Sequence, residues 1–283
     1  MSLPTSIITT TVMFTELFMR RALAVALLLS PLCALLGVFV TARKMSFFSD
    51  TIAHAALAGI AAGVWLGWND PTIPMVAVSL LVAGAILWLK ENTDLVTDTI
   101  MALLLSGSVA VGMIILSLKR GSPGQIQGYL FGDILAVEDK DIWIAAAMFV
   151  VISAGVFWKL NWLALITAHE EMARVCGVPV RRMNYLFVVV LTLAVAVSIR
   201  LLGIILVTAL VVIPPAAARN LSRNLRQHIW LSLLFGGLGG AGGTILSYRL
   251  NAPCGPSIVL VCIAIFAASL AGRRIRPPRR LTS

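Results

Sequence analysis

The chain has 283 residues, 59% of them hydrophobic and 12% charged, with a net charge of +10 and a mean hydropathy of +0.97. Soluble domains run near ~25% charged, so this composition excludes a soluble globular protein and leaves one polytopic membrane bundle over 1–283, with no room for a separate soluble domain. In that setting the positive charge marks cytoplasmic loops and contact with anionic lipid headgroups, and nucleic-acid binding is not expected.

Apolar stretches fall at 17–42, 51–68, 72–89, 97–118, 142–160, 184–199, 202–218, 229–248 and 256–271. Each is near the ~20 residues with which a helix crosses a bilayer. The first has no short basic segment before it and no clear cleavage site, so it is expected to stay as a span. The fold class is therefore all-α: a transmembrane helical bundle of 8–9 spans, several broken at Pro31, Gly203, Pro214 and Pro215. The alternative to nine is that 184–218 forms one span plus a re-entrant segment. With nine spans and the N-terminus outside, only Arg20, Arg21, Lys119, Arg120, Lys140, Arg200 and Arg249 face outward, seven of the 22 basic residues, and the other 15 face the cytoplasm. Cys33, Cys176, Cys254 and Cys262 form no CxxC pair, and neither a disulfide framework nor a thiolate metal site is expected.

The second stretch opens with MSFFSDTIAHAALAGIAAG, residues 45–63. Asp50 and His54 are four apart, which puts both on one face of a helix. A carboxylate and an imidazole together suit a divalent metal, and ionisable groups between apolar spans are costly and usually functional. The competing reading is a helix N-cap at Ser49 or Asp50 followed by a structural histidine. The small residues after His54 allow a close helix approach or leave space for a pathway. At the entry to the fourth stretch Asp94 and Asp98 are also one turn apart. Asp94 suits a solvated first turn, and Asp98 lies deeper and is a candidate pathway or metal residue.

Residues 119–141 form a glycine-rich outward segment, and 168–183, AHEEMARVCGVPVRRM, a charged cytoplasmic one. In the latter Glu170 and Glu171 open a short helix, Arg174 follows, and Gly177 and Pro179 stop it. It reads either as a solvated loop helix or as a docking helix. In RLLGIILVTALVVIPPAAAR the proline pair is expected to end a span. His169 and His228 are expected at solvent-side loops or span ends. Residues 273–283 make a basic cytoplasmic tail. No GxxxxGK[ST] and no HExxH occurs, so ATP-driven transport would need its ATPase on another chain.

In this order along the chain, RKMSFFSDTIAHAALAG, YLFGDILAV, EEMARVCGV, LLGIILVTALVVIPPAAAR and APCGPSIVLV resemble the membrane subunit of bacterial ABC importers for zinc, manganese or iron. The resemblance covers nearly the whole chain and implies an importer-type bundle related to the vitamin B12 and siderophore permeases, in the bacterial inner membrane. It implies a homodimer working by alternating access, two cytoplasmic ATPase subunits that use the ATP, and an extracytoplasmic binding protein that delivers the metal. The permease itself would be no enzyme and would hold no permanent cofactor, with zinc, manganese or iron as cargo. Asp50 and His54 match the intramembrane metal-pathway motif, and Asp98 an acidic position of the neighbouring helix. Glu170, Glu171, Arg174 and Gly177 fall in the segment that couples to the ATPase. Asp133 falls at the outer gate or the contact with the binding protein. Few histidines occur in the chain, which leaves all three metals open. The rivals are a permease for metal chelates, an ion-coupled secondary transporter, and an intramembrane enzyme, for which no base and nucleophile pair is evident.

Overall fold

The computed structural model describes residues 17–68, 70–118 and 137–275; Asp133 and the tail beyond residue 275 lie outside the described residues. Those residues form helices and connecting turns, with no strand. The helices are α1 (Leu17–Ala42), α2 (Phe48–Trp65), α3 (Thr72–Asn92), α4 (Thr97–Leu118), α5 (Asp139–Trp158), α6 (Leu160–Ala168), α7 (Glu170–Val175), α8 (Val180–Leu202), α9 (Ile204–Leu221), α10 (Leu225–Leu250) and α11 (Cys254–Ile275). Eight of them are long and apolar enough to span a membrane: α1, α3, α4, α5, α8, α9, α10 and α11. The other long helix, α2, is the one that carries Asp50 and His54.

Consecutive long helices alternate in direction, and polar contacts tie their ends into two groups. At one end Arg21, near the start of α1, pairs with Asp139 at the start of α5 at 2.6 Å. There too the Arg200 guanidinium, in the last turn of α8, stands 4.0 Å from Asp141. At the other end the Arg181 guanidinium of α8 donates twice to Glu91 of α3, at 3.1 and 2.8 Å. Tyr185 donates to the same carboxylate at 3.2 Å. Asn220, late in α9, donates to Ser269 of α11 at 2.9 Å. The first described helix therefore begins at the opposite end from that at which the last one finishes.

The two stretches 184–199 and 202–218 are separate helices, α8 and α9, joined through Gly203 alone. Gly203 has φ +83°, a backbone conformation that side-chain-bearing residues rarely adopt. Pro214 and Pro215 do not end α9, as expected from sequence, but lie inside it. Proline has no N–H, so Pro215 leaves the Val211 carbonyl without its helical donor. Gly37 of α1 packs directly on that carbonyl and on the Pro215 ring, an approach closed to any residue with a Cβ. His228 lies at a span end, one of its two expected places, but does not face solvent. It is buried in the first turn of α10, where Nε2 donates to the Pro215 carbonyl at 3.0 Å.

Small residues set the other close contacts. Gly236 and Gly240 of α10 lie against Ala26, Ser30 and Ala34 of α1, and Gly243 lies against the Ile258 backbone of α11. In lipid, helices gain little from mere apolarity, so such near-backbone packing holds the bundle together. Outward, Leu103, Met113 and Ile114 of α4 and Trp143, Val150 and Val151 of α5 are exposed, as fits helices that face lipid or another apolar surface.

Gly243→Ala is expected to lower the melting temperature of the detergent-solubilised protein, because the Ile258 backbone must shift, a change that costs about 1–3 kcal/mol in a packed core. Gly84→Ala, at an exposed helical position with nothing within 4 Å, is expected to leave it unchanged or raise it. Equal melting temperatures for the two variants would refute the packing described.

Candidate functional site

Helix α2 sits inside a sheath. It packs on α3 and α4 along most of its length and on α8 and α9 as well. Thr51 donates from Oγ1 to the Met101 carbonyl of α4 at 3.3 Å. A Cβ on Gly59 would stand 2.7 Å from both Met75 Cα and the Pro74 carbonyl of α3. Twelve of its 18 residues are buried. The alanines and glycines that follow His54 are what permit this: they keep α2 thin enough for neighbours to close on several sides.

The unburied positions include Asp50, His54, Leu57 and Val64. At 3.6 residues per turn these four fall within about 80° of one another as one stripe, and the other unburied positions, Ala62 and Trp65, lie in the last turn. Along the stripe the Asp50 side chain is 41% exposed and that of His54 30%, and Asp50 Oδ1 lies 4.0 Å from His54 Nε2. That separation is too long for a hydrogen bond. Oxygen and nitrogen ligands near 2.1 Å from one cation stand roughly 3.0–3.5 Å apart, so a small rotamer change would bring the pair to chelating distance. The N-cap reading of this motif fails on geometry. Phe47 occupies the cap with helical φ and ψ, and no side chain caps the helix.

Asp98 lies in the first turn of α4, exposed. Since Thr51 faces Met101 and Ala58 faces Gly112, α2 and α4 run parallel, and Asp98 is at the same end of the bundle as Asp50. It does not join the pair. Among the described residues no group of three or more His, Cys, Asp or Glu side chains comes together. Among the described residues the Asp50–His54 pair thus offers two candidate ligands to a cation. Asp94 is exposed in the turn before α4, and His169 is exposed at the N-cap of α7, so neither adds a ligand.

The charged segment forms as expected. Glu170 and Glu171 occupy the first turn of α7. The Arg174 guanidinium donates to Glu170 Oε1 at 2.8 Å, an exposed i,i+4 pair worth about 0.3–0.5 kcal/mol. The Val178 N–H bonds the Ala173 carbonyl at 3.0 Å and the Gly177 N–H bonds that of Arg174 at 3.1 Å. With Gly177 at φ +76° this is a Schellman stop, and Pro179 caps α8 directly after it. Ala173 is buried, and Glu171, Met172 and Val175 present an exposed outer surface.

Sequence reading missed the rest of the stripe, Leu57 and Val64, although their spacing of seven and fourteen from Asp50 was available as a signal. It also gave Arg43 no role beyond a place on the cytoplasmic side. The partners of that residue, Thr167 and Asn184, are 124 and 141 positions away, and no local pattern announces them.

The model of the ABC 3 transport family matches residues 15–273. Among curated relatives, the chain is 34% identical over 264 residues to the high-affinity zinc uptake system membrane protein ZnuB of Haemophilus influenzae, covering 92% of this chain and 99% of that protein. It is 32% identical to the manganese import system permease protein ScaB of Streptococcus gordonii, over 89% of this chain and 90% of that one. Among solved structures, PsaBC from Streptococcus pneumoniae in complex with Fab matches with a TM-score of 0.81 at 29% identity, covering 95% of this chain and 99% of that chain.

In a background with native cysteines replaced, single cysteines at 50, 54 and 57 are expected to react with a small water-soluble thiol reagent, while cysteines at 51 and 55 stay protected. Equal labelling at all five would mean that α2 has no single open face.

Proposed function

The chain belongs to the ABC 3 transport family, and we propose that it is the membrane permease of an ATP-driven importer of a divalent metal cation, with zinc, manganese and ferrous iron as the candidate cargoes. One observation carries the choice of cargo. A helix wrapped by its neighbours leaves a single stripe open, and the ionisable groups on that stripe are a carboxylate and an imidazole. Groups of this kind are expensive at membrane depth unless they serve an ion. The relatives described above are a zinc uptake protein and a manganese import permease, which fits a free metal ion as substrate.

Two protein ligands do not fill the coordination shell of any of these metals. A second copy of the chain, with its α2 stripe facing the first across a shared pathway, would supply another carboxylate and imidazole, and water would complete the shell. Such a site takes up an ion by replacing part of its hydration and releases it without a deep energy well. Asp98 would lie toward the same mouth of that pathway as Asp50, as a waypoint and not a ligand of the same site. Asp133 is assigned to the outer gate or the contact with the delivering protein.

The end of the bundle bearing α7 carries Arg43, Lys90, Arg181, Arg219, Arg223 and Arg226, among others, and the opposite end Arg20, Arg21, Lys140, Arg200 and Arg249. We assign the α7 end to the cytoplasm on that imbalance. This orients the N-terminus outward in the bacterial cytoplasmic membrane. Residues 168–183 then dock on a cytoplasmic ATPase, present in two copies, with Glu170, Glu171 and Arg174 at the contact and Gly177 fixing the exit of the helix. A metal-binding protein outside the cell membrane would deliver the ion. Residues 1–283 act as one transmembrane permease domain, with the basic tail of 273–283 at the cytoplasmic face.

The test is ATP-dependent uptake of radiolabelled Zn²⁺, Mn²⁺ and Fe²⁺ into proteoliposomes holding the chain with its ATPase and binding protein. Uptake of at least one ion is expected, lost in Asp50→Ala and in His54→Ala while the complex still assembles. Glu171→Ala or Arg174→Ala is expected to leave ATP hydrolysis running without transport. Uptake of a metal chelate but of no free ion would overturn the reading, and so would wild-type uptake by either pathway variant.

Orientation has its own test in the one exposed native cysteine among the described residues, Cys176. A membrane-impermeant maleimide is expected to label it in inside-out vesicles and not in intact spheroplasts. The reverse pattern would turn the topology over.

A further inference from the structure

Arg43 follows the last residue of α1, in the turn that leads to α2, and its side chain reaches across the end of the bundle. Its Nε donates to Thr167 Oγ1 in the last turn of α6 at 3.1 Å. One Nη donates to Asn184 Oδ1 near the start of α8 at 3.0 Å. The guanidinium carbon stands 4.6 Å from the centre of the Phe187 ring, one turn further along α8. Phe187 in turn meets Phe39 of α1 edge to face, with ring centres 6.1 Å apart. One cation thus grips the helix before α7 and the helix after it. The fork of the guanidinium makes this possible, since it offers donors in several fixed directions from one rigid plane.

The remaining Nη is buried and has no hydrogen-bond partner. A buried donor left empty is costly and calls for a reason. Burial lowers the pKa of Arg43 to about 10, with Glu170 as the carboxylate that opposes the shift, so the group remains a cation at neutral pH. Glu170 itself is held in this structure by the exposed Arg174, a contact that water readily replaces.

The turn that joins Arg43 to α2 is stiff. The Arg43 N–H bonds the Phe39 carbonyl, the Met45 N–H that of Val40, both at 3.0 Å, and the Phe48 N–H that of Met45 at 2.9 Å. Met45 is buried and pins the middle of the turn. Asp50 follows in the first turn of α2. A displacement of α6, α7 or the start of α8 is therefore felt at Arg43 and passed on through a short hydrogen-bonded turn to the open stripe.

We propose that Arg43 is a positioning residue that links the α7 segment to the Asp50–His54 stripe, its open Nη receiving Glu170 in the alternate transport state. The inference rests on the transport reading above and adds the residue through which the two ends of that process communicate. Arg43 touches no cargo. Its role is to make the position of α2 depend on the position of α7.

The experiment measures metal ions carried per ATP hydrolysed, in the same reconstituted complex with ATPase and binding protein. Arg43→Gln keeps a side chain able to bond Thr167 or Asn184 but loses the fork and the charge. It is expected to lower the ratio about tenfold, within the range of ordinary coupling between sites, with the KM for ATP and the yield of assembled complex unchanged. Asn184→Ala leaves the cation in place and is expected to lower the ratio less. Glu170→Gln is expected to lower it as well, and the double variant Arg43→Gln with Glu170→Gln to fall no further than Arg43→Gln alone. A wild-type ratio in Asn184→Ala and Arg43→Gln would overturn the proposal, and if Arg43→Gln fails to assemble, a wild-type ratio in Asn184→Ala overturns it alone. Uptake and hydrolysis falling together, in step with the amount of complex, would also overturn it, as the mark of a merely structural residue. If the wild-type complex carries no ion at all, the transport reading fails first, and the two failures are told apart.

Discussion

The close wrapping of α2 is the constraint on which the other features depend. A helix with one open face can present a polar pair to a narrow pathway only if its other faces are sealed. Sealing requires neighbours that reach almost to its backbone. Ala55, Ala56, Ala58, Gly59 and Gly63 make that approach possible, and Met75, Pro74, Met101 and Gly112 fill it. The polarity of Asp50 and His54 is thereby confined to one direction.

Around this central helix, each irregularity in the backbone has a local remedy. Pro215 strips a donor from Val211, and Gly37 moves in against the bare carbonyl. The Pro215 carbonyl in turn accepts a hydrogen bond from His228 Nε2. At Gly203 a left-handed residue lets α8 give way to α9 without any loop. Contacts from Gly37 of α1 and His228 of α10 thus cover the proline stretch of α9.

Much of this was legible in the sequence, because membrane helices are long, apolar and bounded by charge. The nine apolar stretches correspond to nine long helices, and Glu170, Arg174, Gly177 and Pro179 mark α7 and its end by rules that operate within a turn or two. The shared face of Asp50 and His54 follows from helical spacing alone. The illegible features were those decided by distant neighbours. A proline pair reads as a helix end unless one knows that a glycine some 170 positions earlier will cover the gap, by subtraction of 37 from 211. His228 reads as a solvent-side residue of a loop or span end until Pro215 is seen beside it. Arg43 reads as one more positive-inside arginine, since Thr167 and Asn184 meet it only in three dimensions.

On the proposed reading, a site to which each copy brings only Asp50 and His54 has a consequence for how the cell tells metals apart. Selectivity by a rigid cage demands a full set of donors at fixed distances. On the proposed reading, a carboxylate and an imidazole from each of two copies, with water completing the shell, would hold the donors less rigidly than a cage built within one chain. On the reading proposed here, affinity at the stripe would follow the intrinsic Irving–Williams order, which favours copper and nickel over manganese and iron. Discrimination would then belong to the step before entry, when the ion is handed over. The permease would act as a door that trusts the doorman, and fidelity of import would be a property of the assembled system and not of the pore.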